Sequence, residues 1–216
     1  MIKNNFNKRF LTSLVLMTAV FLMFNYNSVL LFLLLIFGVF SNIEFFNISK
    51  KISKNKFVQF FQNLLFTIFI FIFCLSFFVF ANIAYLKITL FIISLGCFAS
   101  DIGGYIVGKL LKGPKLTSIS PKKTISGSLG AIIFSIMTIN ILFFYFTNAF
   151  TVGILIVSVL TSIGCQIGDL FFSLLKRKAK IKDTGNFLPG HGGILDRLDG
   201  IFLGIPVGFI SLILFN

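Results

Sequence analysis

Apolar runs longer than about 18 residues recur along this chain, separated by short polar clusters. Each is long enough to cross the roughly 30 Å of a bilayer's hydrocarbon as a helix. A water-soluble domain would not tolerate so many. Hydrocarbon offers the peptide groups no water, so these runs predict helices, which pair their backbone internally. The pattern reads as an all-α, polytopic helical membrane protein with about seven spans, at roughly 10–24, 28–47, 58–80, 87–108, 126–147, 150–174 and 197–215. The first span is short and is expected to pair with the second as a helical hairpin. The 216 residues read as a single integral membrane domain without linker or internal repeat. Within it, 1–99 is expected mainly to embed the protein in lipid, and 100–216 to carry its chemistry.

Charge changes this picture. The chain is 57% hydrophobic yet carries a net charge of +13, which in a soluble protein would suggest a nucleic-acid partner. The placement of the cations argues against that partner. Lys3, Lys8 and Arg9 precede the first span, and Lys50, Lys51, Lys54 and Lys56 follow the second. Lys109, Lys112, Lys115, Lys122 and Lys123 follow the fourth, and Lys176, Arg177, Lys178, Lys180, Lys182 and Arg197 lie between the sixth and seventh. The intervening turns hold only Lys87 of the 19 basic residues, at their edge. By the positive-inside rule the amino terminus is cytoplasmic, and the carboxyl terminus is outside if the span count is odd. The basic face also suits anionic lipid headgroups, at about 1 kcal/mol for each nearby Lys or Arg.

The first span is not expected to be a cleaved signal peptide. Asn25-Tyr26-Asn27 follows it without a small-residue cleavage site, and another span comes next. Cys74, Cys97 and Cys165 fall inside apolar runs and read as small buried hydrophobes, not as a metal site or disulfide. The 32 phenylalanines read as lipid-facing and packing residues.

The acids are scarce: Glu44, Asp101, Asp169, Asp183, Asp196 and Asp199. A carboxylate at the bilayer centre costs about 2.5–3.5 kcal/mol on the insertion scale, so each one needs a reason. All lie near the basic ends of spans or in basic loops. Asp101 sits in SDIGGYIVGK, where Gly103, Gly104 and Gly108 let a second backbone or a ligand come close; the bland alternative is helix packing with Asp101 paired to a lysine. Asp169 sits in GCQIGDLFFSLLKRK, where Gly164 and Gly168 make a GxxxG step that suggests close packing and a homodimer face. Lys176 and Arg177 lie two turns from Asp169, too far for i,i+4 pairing, so its partner must come from elsewhere. Asp196 and Asp199 share one face of a helix starting near Ile194 and need a cation beside them. Mg²⁺ suits such a pair, completing its shell with water and phosphate oxygens. Zinc does not, because one His and three membrane cysteines supply no ligand set.

Two stretches suit phosphate. SISPKKTISG, from Ser118 to Gly127, carries Ser120, Lys122, Lys123 and Thr124 to a predicted helix amino terminus, where free N–H groups and the dipole attract anions. It reads as a triphosphate cradle or, equally, as a basic anchor snorkelling to the interface. Its spacing is not that of a Walker A loop. In PGHGGILD, Gly190, Gly192 and Gly193 can turn their N–H groups towards an anion, and His191 among them can contact phosphate or assist proton transfer.

Ser173 to Asp199, SLLKRKAKIKDTGNFLPGHGGILDRLD, resembles the signature of the phosphatidate cytidylyltransferases, or CDP-diacylglycerol synthases. That pattern runs S-x-apolar-K-R, four residues, K-D-x-small, two residues, apolar-P-x-H-G-G-apolar-x-D-R-apolar-D, and every fixed position is filled. SDIGGYIVGK is similar to the family's D-x-x-A-Y-x-x-G-[KR] stretch, with Gly104 in place of alanine, and SPKKTISG to its S-P-K-K-T-x-x-G. The resemblance covers the chain from about Ser100 onward. The amino-terminal third matches only in kind, with Glu44 where a Trp-Glu pair is expected. One or two of the family's amino-terminal spans are expected to lack a counterpart here.

The resemblance implies that CTP and phosphatidic acid give CDP-diacylglycerol and pyrophosphate at the cytoplasmic face of a bacterial inner membrane. It implies Mg²⁺ on Asp169 and Asp196, and admits a monovalent ion such as K⁺ beside it. Lys122, Lys123, Thr124 and Ser120 would hold CTP phosphates, and Lys176, Arg177 and Arg197 would clamp the lipid phosphate or the nucleotide. Asp101, Asp183, Asp199 and Lys182 would orient these groups or complete the shell. His191, with Gly192 and Gly193, would contact phosphate and not act as a base, since a phosphate monoester is already ionised. The rival readings are a CTP-dependent polyprenol kinase, a CDP-archaeol-type synthase, an ion-coupled transporter, and a catalytically inactive scaffold. The crowding of the acids on one face argues against the transporter.

Overall fold

The computed structural model describes residues 14, 15, 17–185, 187 and 192–215. Among them the secondary structure is helical. The elements are α1 (Asn27–Ile52), α2 (Lys56–Ala81), α3 (Ala84–Leu111), α4 (Ile125–Thr147), α5 (Val152–Lys178), α6 (Leu195–Leu198) and α7 (Ile201–Phe215). Six segments among the described residues are long and apolar enough to cross a membrane, the last running through α6 and α7 from Leu195 to Phe215. The protein is therefore an all-α integral membrane protein. The expected first span lies partly outside the described residues; those described are helical at 14, 15 and 17–25. Several helices overrun the apolar segments that predicted them. α5, for example, continues through its basic end to Lys178, where the cations face the negative end of the helix dipole.

The described residues form two compact units. One takes in the residues up to Ile83 together with Leu175–Leu198, and the other Ala84–Leu174 together with the residues from Asp199 on. The chain passes between them three times: between α2 and α3, within the last turns of α5, and after α6.

In the first unit α1 and α2 form a helical hairpin around a three-residue loop, Ser53–Asn55. Asn55 ends that loop by accepting the Phe57 N–H at 2.9 Å, an N-cap for α2. Polar side chains then tie the two helices in antiparallel order. Ser49 donates to Gln62 at 2.9 Å, Thr67 to Asn42 at 2.8 Å, and Asn27 to Asn82 at 2.9 Å. Such bonds are worth about 0.6 kcal/mol each in a membrane, so they set register more than they supply stability. Phe45 stacks on Phe66 with ring centroids 3.9 Å apart. The hairpin thus joins the second and third expected spans.

In the second unit α3 and α4 meet through glycine. A Cβ on Gly103 would lie 2.6 Å from the Gly130 carbonyl oxygen, and one on Gly127 would lie 2.8 Å from that of Gly104. What approaches the glycines of SDIGGYIVGK is therefore a second backbone. Ile92, Ile139, Phe143, Ile154, Val157 and Leu212 form the core between α3, α4, α5 and α7. A buried polar seam crosses it: Ser100 and Ser162 share a hydrogen bond of 2.8 Å, and Asn140 donates to Ser158 at 3.1 Å. Cys97 and Cys165 are free and buried, as the sequence predicts, and a Cβ on Gly204 would overlap both sulfurs.

The GxxxG step of α5 corrects one expectation. Gly164 faces the Leu203 carbonyl and Gly204, and Gly168 faces Asp199 and Gly200. The chain's own carboxyl-terminal segment fills this step, so it is not a face open to a second copy. Close packing is what it achieves, which is all that the motif alone requires.

Gly103→Val should lower the unfolding free energy in detergent by about 1–3 kcal/mol, because the added atoms meet backbone that cannot yield. Gly38→Ala is the control. Its Cβ would find only ordinary contacts at 3.5 and 3.6 Å, and an alanine there should hold or raise the thermal midpoint. Equal losses in the two variants would refute the packing argument.

Candidate active site

The stretch between α3 and α4 folds back on itself. Ser120-Pro121-Lys122-Lys123 is a β-turn closed by Lys123 N–H on the Ser120 carbonyl at 3.0 Å, with proline at the position that fixes φ in advance. Leu116 donates to the Lys123 carbonyl at 2.8 Å and Ile125 to that of Pro114 at 2.9 Å, so the two arms run side by side. Thr124 is the N-cap of α4 and accepts the Gly127 N–H at 3.1 Å. These residues adopt the predicted helix start, with one difference in its chemistry. The Ile125 and Gly127 amides are already taken by the chain, so attraction for an anion rests mainly on the dipole and on Lys122 and Lys123.

This loop walls a cavity of about 370 Å³ in the second unit. Ser120, Lys122, Lys123 and Thr124 line one part, Asp101 and Ser100 of α3 another, and Gln166 and Asp169 of α5 a third. Asp169 finds its cation here, since its own helix offers none three or four positions away: Lys123 Nζ lies 2.5 Å from Oδ2. Ser173 donates to the other oxygen, Oδ1, at 3.2 Å. Ser128 donates to Gln166 Oε1 at 2.5 Å, which fixes the amide at the cavity wall. Cations and carboxylates thus meet in one cleft, with lysines on the loop side and acids on the helix side.

A second constellation lies in the first unit, around Asp196 at the second position of α6. Its Oδ1 accepts Lys176 Nζ at 2.7 Å. Its Oδ2 accepts the Thr184 N–H at 2.8 Å, the Gly193 N–H at 3.1 Å, and has Thr184 Oγ1 at 3.0 Å. Gly192 is held at φ +85, a backbone region that favours glycine, beside Asp183 and Asp196. Beneath lies Glu44 of α1, only 5% exposed. It accepts the Ile194 N–H at 3.0 Å, the Leu195 N–H at 2.9 Å and the Thr184 hydroxyl at 2.7 Å.

The structure thus gathers Asp101, Ser120, Lys122, Lys123, Thr124 and Asp169 in one cleft, and Lys176, Gly192, Gly193 and Asp196 in one network, with Asp183 alongside. Arg177, Lys182 and Arg197 are exposed in the first unit. Asp199 is buried in the second, where its Oδ1 accepts the Gly200 N–H at 2.9 Å. His191 lies outside the described residues. Sequence reasoning noted Glu44 without giving it a role, and missed Thr184, Ser100, Ser128 and Gln166. A signal existed for Glu44, an acid on an apolar helix with no basic residue three or four positions away. Ser100, Ser128 and Gln166 gave none, because hydroxyls and amides in apolar segments are common, and Thr184 fell at an unspecified position of the loop pattern.

The donor set bears on a metal. The cavity offers carboxylate, hydroxyl and amide oxygens with no sulfur or imidazole, which fits a hard cation such as Mg²⁺. Among the described residues no three His, Cys, Asp or Glu come together as a cage. A hard cation bound here would therefore complete its shell with water and substrate oxygens. Asp196 fits more narrowly: three donors crowd Oδ2, and only Oδ1, with a single donor, retains a lone pair for a metal.

Residues 1–215 match the sequence model of the cytidylyltransferase family. A phosphatidate cytidylyltransferase of Rickettsia bellii (strain RML369-C) is 42% identical over 119 residues, which are 50% of this chain and 51% of that protein. One from Staphylococcus haemolyticus (strain JCSC1435) is 46% identical over 116 residues, 53% of this chain and 45% of that protein. One from Bacillus subtilis (strain 168) is 39% identical over 122 residues, 55% of this chain and 45% of that protein. The chain spans about half the length of the curated relatives it matches.

The two ion pairs should respond differently to loss of their cation. Lys176 and Asp196 side chains are 13% and 10% exposed, against 25% and 31% for Lys123 and Asp169. Lys176→Met strands a buried carboxylate and should cost about 3 kcal/mol. Lys123→Met should cost under about 1 kcal/mol. Chemical unfolding of both variants in one detergent measures the contrast, and similar losses would refute it.

Proposed function

This chain belongs to the cytidylyltransferase family, and from that premise we propose that it is a phosphatidate cytidylyltransferase. It would join CTP to phosphatidic acid and release CDP-diacylglycerol and pyrophosphate. The observation that carries this reading is the cleft in which Lys122, Lys123 and Thr124, at the start of α4, face Asp101 and Asp169. The names of the relatives support the choice of substrates.

The reaction asks for alignment and charge neutralisation more than for covalent help. A phosphate oxygen of the lipid attacks the α-phosphorus of CTP in line, and pyrophosphate leaves. That oxygen is ionised at neutral pH, so no side chain need take its proton. Lys122 and Lys123 would bind CTP phosphates, with Ser120 and Thr124 donating from their hydroxyls. When a phosphate draws Lys123 away, Asp169 Oδ2 loses its cation and becomes available to a metal. Asp169 would hold Mg²⁺ at the cavity wall; in the first unit, Oδ1 is the atom that Asp196 would offer to a hard cation. Bound Mg²⁺ would offset the negative charge of the phosphate oxygens and of the departing pyrophosphate. Gln166, fixed by Ser128, and Asp101 would orient what binds.

The alternation of basic and uncharged loops supports an active site facing the cytoplasm. An inner-membrane position suits the substrates, since the lipid arrives within the bilayer and CTP from the aqueous side.

Purified protein given phosphatidic acid, Mg²⁺ and CTP labelled in the cytidine should yield labelled CDP-diacylglycerol and one pyrophosphate per turnover. EDTA should abolish the reaction, and Asp169→Asn and Asp196→Asn should each lower turnover by at least about a hundredfold. Release of CDP in place of pyrophosphate would identify a lipid kinase instead. Full turnover in EDTA would remove the metal from the reading.

A further inference from the structure

We infer that Glu44, on the first long helix, is a positioning residue that sets the geometry of Asp196. The inference rests on the functional reading above and adds to it a residue from the amino-terminal third of the chain, where the sequence pattern is weakest.

Glu44 ties together two stretches some 140 to 151 positions further along the chain. Its Oε1 accepts the Ile194 N–H, and its Oε2 accepts the Leu195 N–H and the Thr184 hydroxyl. Thr184 and Gly193, next to those anchors, are the same residues whose N–H groups hold Asp196 Oδ2. Glu44 therefore fixes the backbone just after Gly193 and the side chain of Thr184, at the two residues that donate to Asp196. With Oδ2 occupied in this way, the carboxylate presents Oδ1 to Lys176. Thr184 links the two acids most directly. Its Oγ1 lies 2.7 Å from Glu44 Oε2 and 3.0 Å from Asp196 Oδ2, and its single proton bridges them.

The glycines supply an independent observation. A Cβ on Gly185 would lie 2.6 Å from Glu44 Oε1, and a Cβ on Gly193 would overlap Oε2 and the Thr184 hydroxyl. Both positions are kept bare where the carboxylate enters. Its donors also explain why the residue is an acid. All three partners present hydrogen, and a carboxylate alone accepts from both of its oxygens. A glutamine in the same place would turn an NH₂ group towards one of these donors.

The test combines turnover with amide exchange. Glu44→Gln should lower kcat by about 10–100-fold, as loss of an outer partner of a metal ligand does, and raise the Mg²⁺ concentration needed for half-activity. The KM for CTP should stay within about twofold, since the nucleotide's proposed contacts are elsewhere. Thr184→Val should share the loss of kcat, and Thr184→Ser, which keeps the hydroxyl, should recover most of it. By hydrogen exchange, Glu44→Gln should speed the Ile194 and Leu195 amides by about tenfold or more while leaving those of α4 unchanged. Wild-type kcat in Glu44→Gln would overturn the inference. So would exchange that rises equally throughout the chain, or a Thr184→Ser variant no better than Thr184→Val. If the wild-type protein makes no CDP-diacylglycerol, the functional reading fails on its own, and the exchange comparison still decides whether Glu44 holds this segment.

Discussion

A carboxylate carried on an apolar helix has to meet a cation or a set of N–H and O–H donors before the fold can accept it. On the insertion scale the exposed charge would cost about 2.5–3.5 kcal/mol at mid-bilayer. This chain satisfies the requirement in three different ways. Glu44 is buried and is held by two backbone amides and a hydroxyl. Asp196 takes a lysine on one oxygen and loop donors on the other. Asp169 pairs with a lysine from a loop on the far side of a cavity. The first two arrangements build structure, because their backbone amide bonds also fix irregular chain at Thr184 and at Gly193–Leu195. The third leaves an exchangeable pair, since the lysine belongs to a loop and both partners reach open space.

Irregular backbone has the same problem as charge, and the same groups solve it. At the entry to α4 the amides find Pro114 and the Thr124 hydroxyl. At the entry to α6 they find Glu44. In both places a chain segment that water would otherwise have to solvate is held by the protein. This rigidity matters to the proposed chemistry, where positioning supplies much of the rate. Glycine makes the approaches possible. Gly127 and Gly130 bring α4 against α3 along the length that carries Asp101, and Gly193 admits the Glu44 carboxylate.

The family-like stretches SDIGGYIVGK and SPKKTISG supply much of the cleft's lining. The family match extends over 1–215, whereas the cleft is defined by side chains from three separate helices and a turn. Lysines at a helix start attract phosphate whatever the family, and oxygen donors without sulfur favour a hard metal whatever the substrate.

The sequence by itself determined the helical membrane architecture, because twenty-odd apolar residues in hydrocarbon have no other way to pair their peptide groups. It also determined the family, through the closely spaced polar positions of Ser173–Asp199, and the helix start at Thr124, through local turn and cap chemistry. It showed that Asp169 must look beyond its own helix for a partner, but not that Lys123 would be that partner. Only the tertiary structure decided which backbone the glycines of α3 and α5 admit, and that the GxxxG step is filled from within the chain. Only it revealed Glu44 beneath Thr184 and Asp196. The reason is distance along the chain: caps and spans depend on neighbours a few residues away, whereas Glu44 meets donors more than a hundred residues on, and no periodicity encodes such a meeting.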